Sequence, residues 1–246
     1  MPYKKLRIEV RNRVGYLILD SGARFNKLSV TTIRELQRAL AQLEDDDGVG
    51  CLVLSGWPGE SFAVGADIGQ MRPFTPQDAL QFADLGQSLF EQMERVGKPI
   101  IGALNGITMG GGCDLALACD IRIASDRVLI AHPGARLGII TGFCGTQKLP
   151  RLVGKNRARE IFMTCDSYNA AETLQMGLVD RVVSGERYWD EVVSMAERIA
   201  AMCPSSLAWA KRLVNMAEET TSRSGCLVEQ GAASLLALAA DQDGCA

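Results

Sequence analysis

The sequence predicts a mixed α/β fold in which a strand-rich core is followed by a helical C-terminal region. Three observations predict it. Short apolar runs recur along the first part of the chain and end at turn signals such as Ser-Gly and Asn-Gly. Helical spacing of apolar residues appears between several of these runs. From about residue 189 to residue 240 the pattern is helical throughout, with boundaries only at Pro204 and Gly225.

The predicted strands are short runs rich in β-branched and other apolar residues, as buried strands usually are. Because they alternate with helical segments, the pattern favours α/β architecture over an all-helical or all-β fold. The predicted strands are 14–19, 50–54, 100–104, 121–124 and 178–183.

Three helices are predicted before the C-terminal region. In the first, 30–43, apolar residues recur every three to four positions, and Ser29 is a residue type suited to cap its N-terminus. The second is an amphipathic helix over 76–95, and the third is a short helix over 170–176.

Length and composition indicate one globular chain that binds neither nucleic acid nor a membrane. A chain of 246 residues is long enough for one sizeable domain with a small appended region. Its formal net charge of −3 argues against nucleic acid and anionic membranes as partners. No stretch approaches the roughly 20 apolar residues of a membrane span, and the basic N-terminus lacks the apolar run of a secretory signal. We therefore expect a cytoplasmic protein with no membrane association.

Spacing also argues against a metal site and against two kinds of nucleotide-binding loop. The eight cysteines are scattered and form no CxxC pair, which favours reduced thiols packed as small apolar residues. The glycine-rich segment around Gly110 fits neither the dinucleotide fingerprint nor a phosphate loop, because no Gly-Lys-Ser/Thr follows it.

Two glycine-containing segments stand out as candidates for chemistry. The first, 59–68, reads GESFAVGADI, and the second, 105–114, reads NGITMGGGCD. Each is expected to lead from a strand into a helix, where glycines let backbone N–H groups turn outward and approach a ligand closely. Two such loops can aim two N–H donors at one oxygen, which would make an oxyanion hole.

These segments resemble the enoyl-CoA hydratase/isomerase (crotonase) family. The resemblance extends over roughly residues 5–215, and its motifs occur in family order. Together they are specific for the family, although not for one reaction within it. The matching segments are 62–68 (FAVGADI), 105–106 (NG), 110–120 (GGGCDLALACD), 137–139 (LGI), 145–154 (GTQKLPRLVG), 170–172 (AAE) and 177–180 (GLVD).

The resemblance implies a crotonase-like spiral of ββα turns with a helical C-terminal trimerisation region. On this basis residues 1–190 form the spiral core, with CoA-thioester binding and the active site, and residues 191–246 form the oligomerisation region. It also implies a homotrimer or homohexamer that acts on an acyl-CoA thioester. No metal or other cofactor is expected, since coenzyme A is part of the substrate.

The resemblance further implies that the N–H groups of Ala66 and Gly111 form the oxyanion hole for the thioester oxygen. Asp114 stands at the position of one family glutamate, where it would position water or move a proton. The substrate-binding residues implied are Ala63, Gly65, Asp67, Ile68, Gly110, Pro133, Gly134 and Gly142, of which Gly142 would line the acyl pocket.

The chain departs from the family where hydratases use a pair of glutamates to add water. Asp114 keeps a carboxylate but is one methylene shorter, and a shift of about 1 Å matters for proton transfer. The second glutamate would follow Pro133, but the sequence has Gly134 there. The loop 139–144 that follows also contains no carboxylate.

His132, the only histidine, lies two residues before the missing glutamate. We expect it to supply or orient the second proton-transfer function, while a purely structural histidine is the competing interpretation. A nucleophilic pair of Cys113 with His132, which would make the protein a hydrolase, is a further alternative.

The function predicted first is an enoyl-CoA hydratase-like lyase that stabilises an enolate on an oxyanion hole. The alternatives keep the oxyanion hole and change the reaction to double-bond isomerisation, decarboxylation or hydrolysis. A non-catalytic acyl-CoA-binding homologue is the alternative from another class, and Gly134 favours it.

Overall fold

The computed structural model describes residues 2–243, with side chains described as far as residue 238. Its strands form a six-stranded and a four-stranded sheet. The strands are β1 (Leu6–Arg11), β2 (Val14–Leu19), β3 (Cys51–Ser55), β4 (Ser61–Ala63), β5 (Ile100–Leu104), β6 (Ile107–Met109), β7 (Ile121–Ser125), β8 (Leu129–Ala131), β9 (Ser167–Asn169) and β10 (Arg181–Val183).

Helices follow most strand pairs and then occupy the C-terminal part. They are α1 (Val30–Glu44), α2 (Ile68–Met71), α3 (Pro76–Arg95), α4 (Gly111–Leu117), α5 (Gly145–Val153), α6 (Lys155–Thr164), α7 (Ala170–Gln175), α8 (Gly185–Ala200), α9 (Pro204–Met216) and α10 (Ser222–Asp243), with a 3-10 helix at Pro133–Leu137. Among residues 2–243, none of the helices combines the length and apolar character needed to cross a bilayer.

Successive ββ units give one strand to each sheet. β3, β5 and β7 lie side by side in the large sheet, whose order is β1-β2-β3-β5-β7-β10. Their immediate successors β4, β6 and β8 lie side by side in the small sheet, whose order is β4-β6-β8-β9. Pairing is parallel except at β1–β2 and β8–β9. The predicted spiral of ββα turns is confirmed.

The large sheet is buried on both faces, which explains its continuous apolar strands. Side chains alternate across the sheet, so Leu52 and Leu54 of β3 pack towards α1, and Cys51 and Val53 pack towards α8. Tyr188 of α8 is fully buried against the second face. Helix α8 is therefore part of the core.

Most predicted elements occur, with small shifts of their ends. Ser29 caps α1, because its hydroxyl accepts a hydrogen bond from the Thr32 amide. The strand predicted over 178–183 is wrong in its first half, since only Arg181–Val183 is a strand. Leu178 and Val179 are apolar because they are buried in a turn, where their amides donate to the Thr173 carbonyl.

The C-terminal part is helical, as predicted. The expected boundary after residue 190 lies inside α8, and the division into a 1–190 core and a 191–246 oligomerisation region stays a prediction. Helix α9 is joined to the core by Lys211, whose Nζ lies 2.9 Å from Asp120 Oδ2 and donates to the Met93 carbonyl at 2.7 Å.

Candidate active site

Three loops meet at the carboxyl edge of the small sheet. They follow the neighbouring parallel strands β4, β6 and β8, and the carboxyl ends of parallel strands lie at the same edge. The pairing of Met109 with Ala131 and the hydrogen bond from the Gly110 amide to the Ala131 carbonyl fix two loops relative to each other. Segments 64–68, 110–114 and 132–134 therefore lie together although they are far apart in sequence.

The amides of Ala66 and Gly111 lie next to each other where the first two loops touch. A Cβ built on Gly111 would lie 3.5 Å from the Ala66 nitrogen, and one built on Gly65 would lie 3.1 Å from the Gly111 nitrogen. Among the described residues, neither amide has a hydrogen-bond acceptor. The structure brings these two predicted donors together, and their role as an oxyanion hole stays a proposal.

Glycine is required where these loops approach most closely. Gly65 has a φ of +93°, a region that side chains disfavour. A Cβ on Gly112 would overlap the Ala63 carbonyl, which belongs to the buried strand β4. Gly110 has a φ of +52° at the turn into α4. A side chain at Gly65 or Gly112 would force the two loops apart, while at Gly110 it would strain the backbone without meeting a neighbour.

Asp114 lies in the first turn of α4 with its carboxylate inside the protein. Its side chain has no solvent exposure. Oδ1 lies 3.1 Å from His132 Nε2, and Oδ2 accepts a hydrogen bond from the Thr141 hydroxyl. Burial raises the pKa of the Asp114 carboxyl, and the His132 and Thr141 contacts offset part of that rise. The carboxylate therefore contacts only His132 and Thr141 through these hydrogen bonds and is sealed from solvent.

His132 follows β8 and lies beside this carboxylate. Its ring is 4.5 Å, centroid to centroid, from the Phe162 ring on α6. Within the described part of the chain its one hydrogen bond is made through Nε2, which Asp114 holds. Nδ1 has no hydrogen-bond partner there and keeps slight solvent contact, although only 4% of the side chain is exposed.

Gly134 shows why no acid stands at the second family position. A Cβ built there would lie 2.9 Å from the Ile139 carbonyl oxygen. The Ile139 amide donates to the Gly134 carbonyl at 3.0 Å, so the 134–139 segment closes on itself. The backbone occupies the space into which a glutamate side chain would begin, and Pro133 precedes it as the first residue of the 3-10 helix.

A cavity of about 670 Å³ opens beside His132. Apolar side chains from the 139–140 segment, α5 and α6 form most of its wall, and Gly134 and Thr141 also line it. His132 and Thr141 therefore both contact the buried Asp114 carboxylate and line this cavity. Ala66 and Gly111 do not line it.

Phe143 fills the space on the other side of the paired amides. Its ring carbons lie 3.0 and 3.2 Å from the position of a Cβ on Gly111, and a Cβ on Gly86 of α3 would overlap the ring. The side chain is buried and packs 5.2 Å from the Phe82 ring. The segment 141–143 is held to α3 by the Gln87 amide, which donates to the Gly142 carbonyl at 2.8 Å.

The remaining predicted residues lie around the site in different roles. Asp67 caps α2 by accepting from the Gly69 amide and pairs with Lys27 at 3.3 Å, and Ile68 is partly exposed at the start of α2. Gly142 packs against Ala83 of α3 and does not line the cavity beside His132.

The Cys113–His132 nucleophilic pair is not present. Burial raises the pKa of the Cys113 thiol, which disfavours a thiolate, and the His132 Nε2 atom is bonded to Asp114 instead. Cys113 is a free thiol, as are Cys51, Cys119, Cys144, Cys165 and Cys226, and Cys245 lies outside the described residues.

Sequence reasoning missed Thr141, Phe143 and Gly145. A Cβ on Gly145 would overlap the Asp114 carboxylate, so this glycine lets the acid pack against the start of α5. The sequence signal for the first two is the segment 139–144, which carries a hydroxyl and an aromatic ring on either side of Gly142.

A family model for enoyl-CoA hydratase/isomerase matches residues 9–240 of the chain. The chain belongs to the enoyl-CoA hydratase/isomerase family. The family resemblance given by the two glycine-containing loops is therefore confirmed.

Several named members of the enoyl-CoA hydratase/isomerase family are similar to the chain over most of its length. A crotonyl-CoA hydratase of Syntrophomonas wolfei is 35% identical over 242 residues, which cover 98% of this chain and 93% of that protein. A short-chain-enoyl-CoA hydratase of Clostridium acetobutylicum is 33% identical, with 87% of this chain and 82% of that protein covered.

Solved structures of family members show the same fold. An enoyl-CoA hydratase from Thermoplasma volcanium superposes with a TM-score of 0.89 at 30% identity, covering 95% of this chain and 92% of that one. An enoyl-CoA hydratase from Bacillus anthracis gives a TM-score of 0.90 at 28% identity, with 98% and 96% covered. Within this family fold, the chain carries a buried Asp114–His132 pair and a glycine at position 134.

Proposed function

We propose that this protein is an enoyl-CoA hydratase-like lyase. It binds an α,β-unsaturated acyl-CoA thioester, stabilises an enolate and adds water across the double bond. The observation that carries the proposal is the pair of unpartnered amides of Ala66 and Gly111, the second of which begins the helix whose first turn holds Asp114 against His132. The relatives named as enoyl-CoA hydratases support the hydration reaction over the other reactions of an enolate.

The two amides bind the thioester oxygen. Negative charge develops on that oxygen as water attacks the β-carbon, so a fixed donor stabilises the transition state more than the substrate. Such donors contribute about 3–4 kcal/mol each. The close approach of the Gly65 and Gly110–Gly112 backbones keeps both donors in place before substrate arrives. Ala63, Gly65, Asp67, Ile68, Gly110, Pro133, Gly134 and Gly142 form the surrounding substrate-binding loops.

His132 carries the proton transfer that the family assigns to a pair of glutamates. With Asp114 ionised, Nε2–H donates to Oδ1 and the unpartnered Nδ1 accepts a proton from the attacking water. The hydroxide oxygen bonds to the β-carbon, and the electron pair of the double bond moves onto the thioester oxygen. The imidazolium then returns the proton to the α-carbon, so the elements of one water are added. A positioned general base contributes about 10²–10⁴-fold to such a step.

Asp114 orients His132 and stabilises its protonated form. The carboxylate is sealed from solvent and both of its oxygens are occupied, so it contacts His132 and not the substrate. Thr141 holds the second oxygen and fixes the carboxylate plane. A carboxylate behind an imidazole sets its tautomer and stabilises its protonated form.

The remaining proposals follow from family membership and surface character. The protein is a cytoplasmic homotrimer or homohexamer that uses no metal or added cofactor, because coenzyme A is part of its substrate. Exposed apolar side chains on α9 and α10 support a role of residues 191–246 in oligomerisation. They are Val214, Leu227, Val228, Leu235 and Leu238.

The test is mass analysis of CoA thioesters after incubation with the protein. Crotonyl-CoA and 2-hexenoyl-CoA are each expected to gain the mass of one water at an enzymatic rate. Asp114→Asn is expected to slow this gain without loss of thioester binding. Tight binding of both thioesters with no change of mass would contradict the proposal and identify a binding protein.

A further inference from the structure

When Ala66 and Gly111 hold the thioester oxygen, the acyl chain cannot extend towards α3. On the α3 side, the buried Phe143 ring lies between Gly86 and Gly111. Phe82 and Phe90 pack on that ring at 5.2 and 5.9 Å. Interiors packed in this way admit no additional carbon chain without rearrangement. An acyl chain must therefore leave the paired amides in another direction.

The cavity beside His132 is the candidate space for the acyl chain, because His132, the proton-transfer group of the proposed function, lines it. Its volume of about 670 Å³ lies within the range of ligand pockets in proteins, about 300–1,000 Å³. The wall that faces His132 is apolar and includes Ile140, Pro150, Phe162 and Met163. Gly134 also lines this cavity and contributes no side chain to it.

Two cations lie in the wall of this cavity without a counter-ion. Lys155 and Arg159 stand on α6, one turn apart, and line the cavity. Neither makes an ion pair or a hydrogen bond within the described part of the chain. By contrast, Arg157 on the same helix is bound by Glu160 at 2.8 Å and does not line the cavity.

The charged residues that line the cavity are therefore all positive. Arg151 also lines it and is 3.5 Å from Glu218, while none of the residues that line it is an aspartate or glutamate. Arg159 precedes Phe162 by three positions and lies about one turn, or roughly 5 Å along the axis, from the ring that contacts His132. A ligand that begins at His132 reaches these cations after a short apolar stretch.

We infer that the substrate is an acyl-CoA whose acyl chain ends in a carboxylate, bound in this cavity by Lys155 and Arg159. This inference rests on the proposed function for the position of the thioester. The apolar stretch contacts Ile140, Pro150 and Met163, and the terminal carboxylate pairs with the two cations. A carboxylate suits this site because guanidinium and ammonium groups in a partly apolar wall bind anions more strongly than they do in open water.

The test measures binding of saturated thioesters, which no hydratase converts. Calorimetry compares hexanoyl-CoA with adipoyl-CoA, and octanoyl-CoA with suberoyl-CoA, in the wild-type protein. The dicarboxylic thioester of at least one pair is expected to bind about tenfold more tightly, as two partly exposed ion pairs imply. In Lys155→Gln and Arg159→Gln this ratio is expected to fall towards one, while in Arg157→Gln it stays at the wild-type value.

Two results would overturn the inference. One is an equal affinity for both members of each pair in the wild-type protein. The other is an equal loss of affinity for both thioesters and for free CoA in Lys155→Gln and Arg159→Gln, which would assign these cations to the CoA phosphates. The proposed function fails separately, if 2-enoyl thioesters bind and are not hydrated. If none of the thioesters binds, both fail.

Discussion

Asp114 Oδ1 lies 3.1 Å from His132 Nε2, and both side chains are almost completely buried. The pair joins the first turn of α4 to the end of β8, so two neighbouring ββ units of the spiral meet in one hydrogen bond. If His132 moves the proton and Asp114 holds His132, changes at the two positions should affect catalysis and stability differently.

Replacing His132 with glutamine should lower turnover with little change in thioester binding. Glutamine keeps a polar side chain but cannot accept and return a proton, so kcat for hydration of crotonyl-CoA should fall about 10²–10⁴-fold. Phe162→Leu is the matched control, because it removes the ring that packs on His132 and leaves the imidazole. Unchanged kcat in His132→Gln, with correct folding by circular dichroism, would show that the histidine is structural.

The pH dependence of stability should change in Asp114→Asn. Because burial raises the pKa of Asp114, the folded state binds its proton more tightly than the unfolded chain does. The stabilisation from this proton is present below the unfolded pKa, near 3.9, and is lost as pH rises through the higher folded value. The difference in unfolding free energy, wild type minus Asp114→Asn, should therefore decrease as pH rises from about 4 towards neutrality.

Urea unfolding of both proteins over this range measures that difference. Asp78→Asn is a useful control because hydrogen bonds from Thr75 lower the pKa of that exposed carboxyl, and its pH dependence should have the opposite sign. If the difference in unfolding free energy between wild type and Asp114→Asn grew with pH, the contacts with His132 and Thr141 would lower the pKa of Asp114 more than burial raises it.

Restoring the family acid as Gly134→Glu should not improve catalysis. The new Cβ would lie 2.9 Å from the Ile139 carbonyl, so the 134–139 segment must shift before any carboxylate can reach the site. Overpacking of this kind costs about 1–3 kcal/mol. Gly134→Ala carries the same Cβ without the acid and should show the same loss of stability. Faster hydration by Gly134→Glu would mean that the segment moves freely.

Gly86 and Phe143 should behave as a coupled pair. Gly86→Ala would place a methyl group inside the Phe143 ring and should cost about 1–3 kcal/mol. Because Phe143→Ala removes that ring, Gly86→Ala should cost much less in its background. Gly231→Ala in α10 is the control: no atom lies within 4 Å of its new methyl group, and alanine should stabilise the helix by about 0.5–1 kcal/mol. Additive effects of the first two changes in thermal unfolding would contradict the contact.

Lys211→Met should destabilise the protein through Asp120. The change removes the ammonium that lies 2.9 Å from Asp120 Oδ2 and leaves a largely buried carboxylate without its charge partner. We expect a loss of about 2–3 kcal/mol, at or below the lower end for broken buried pairs because Asp120 keeps some exposure. Arg157→Met, which breaks an exposed pair with Glu160, should cost less than about 0.5 kcal/mol. Equal losses in denaturant unfolding would contradict the difference in burial.

Sequence reasoning placed the paired amides and the Asp114–His132 neighbourhood because regular elements position them. Ala66, Gly111 and His132 each follow a strand of one parallel sheet, and the apolar pattern indicates such strands even when they are short. The same pattern explains why the strand was predicted to begin too early, at Leu178. An apolar run indicates that residues are buried, but it does not show whether their backbone is hydrogen-bonded as a strand. The sequence did not predict contacts that depend on the path of an irregular segment. Thr141 reaches Asp114, and Phe143 reaches Gly86, only because 137–145 folds back between α3 and α6.

The three loops at the carboxyl edge of β4, β6 and β8 also bear on how the protein folds. They come from segments separated by tens of residues, and none of them holds its geometry until the parallel pairing of these strands is complete. Non-local pairings of this kind form slowly relative to local helices. On dilution from denaturant, helical circular dichroism should therefore return before catalytic competence, and the interval between them reports the closing of the small sheet.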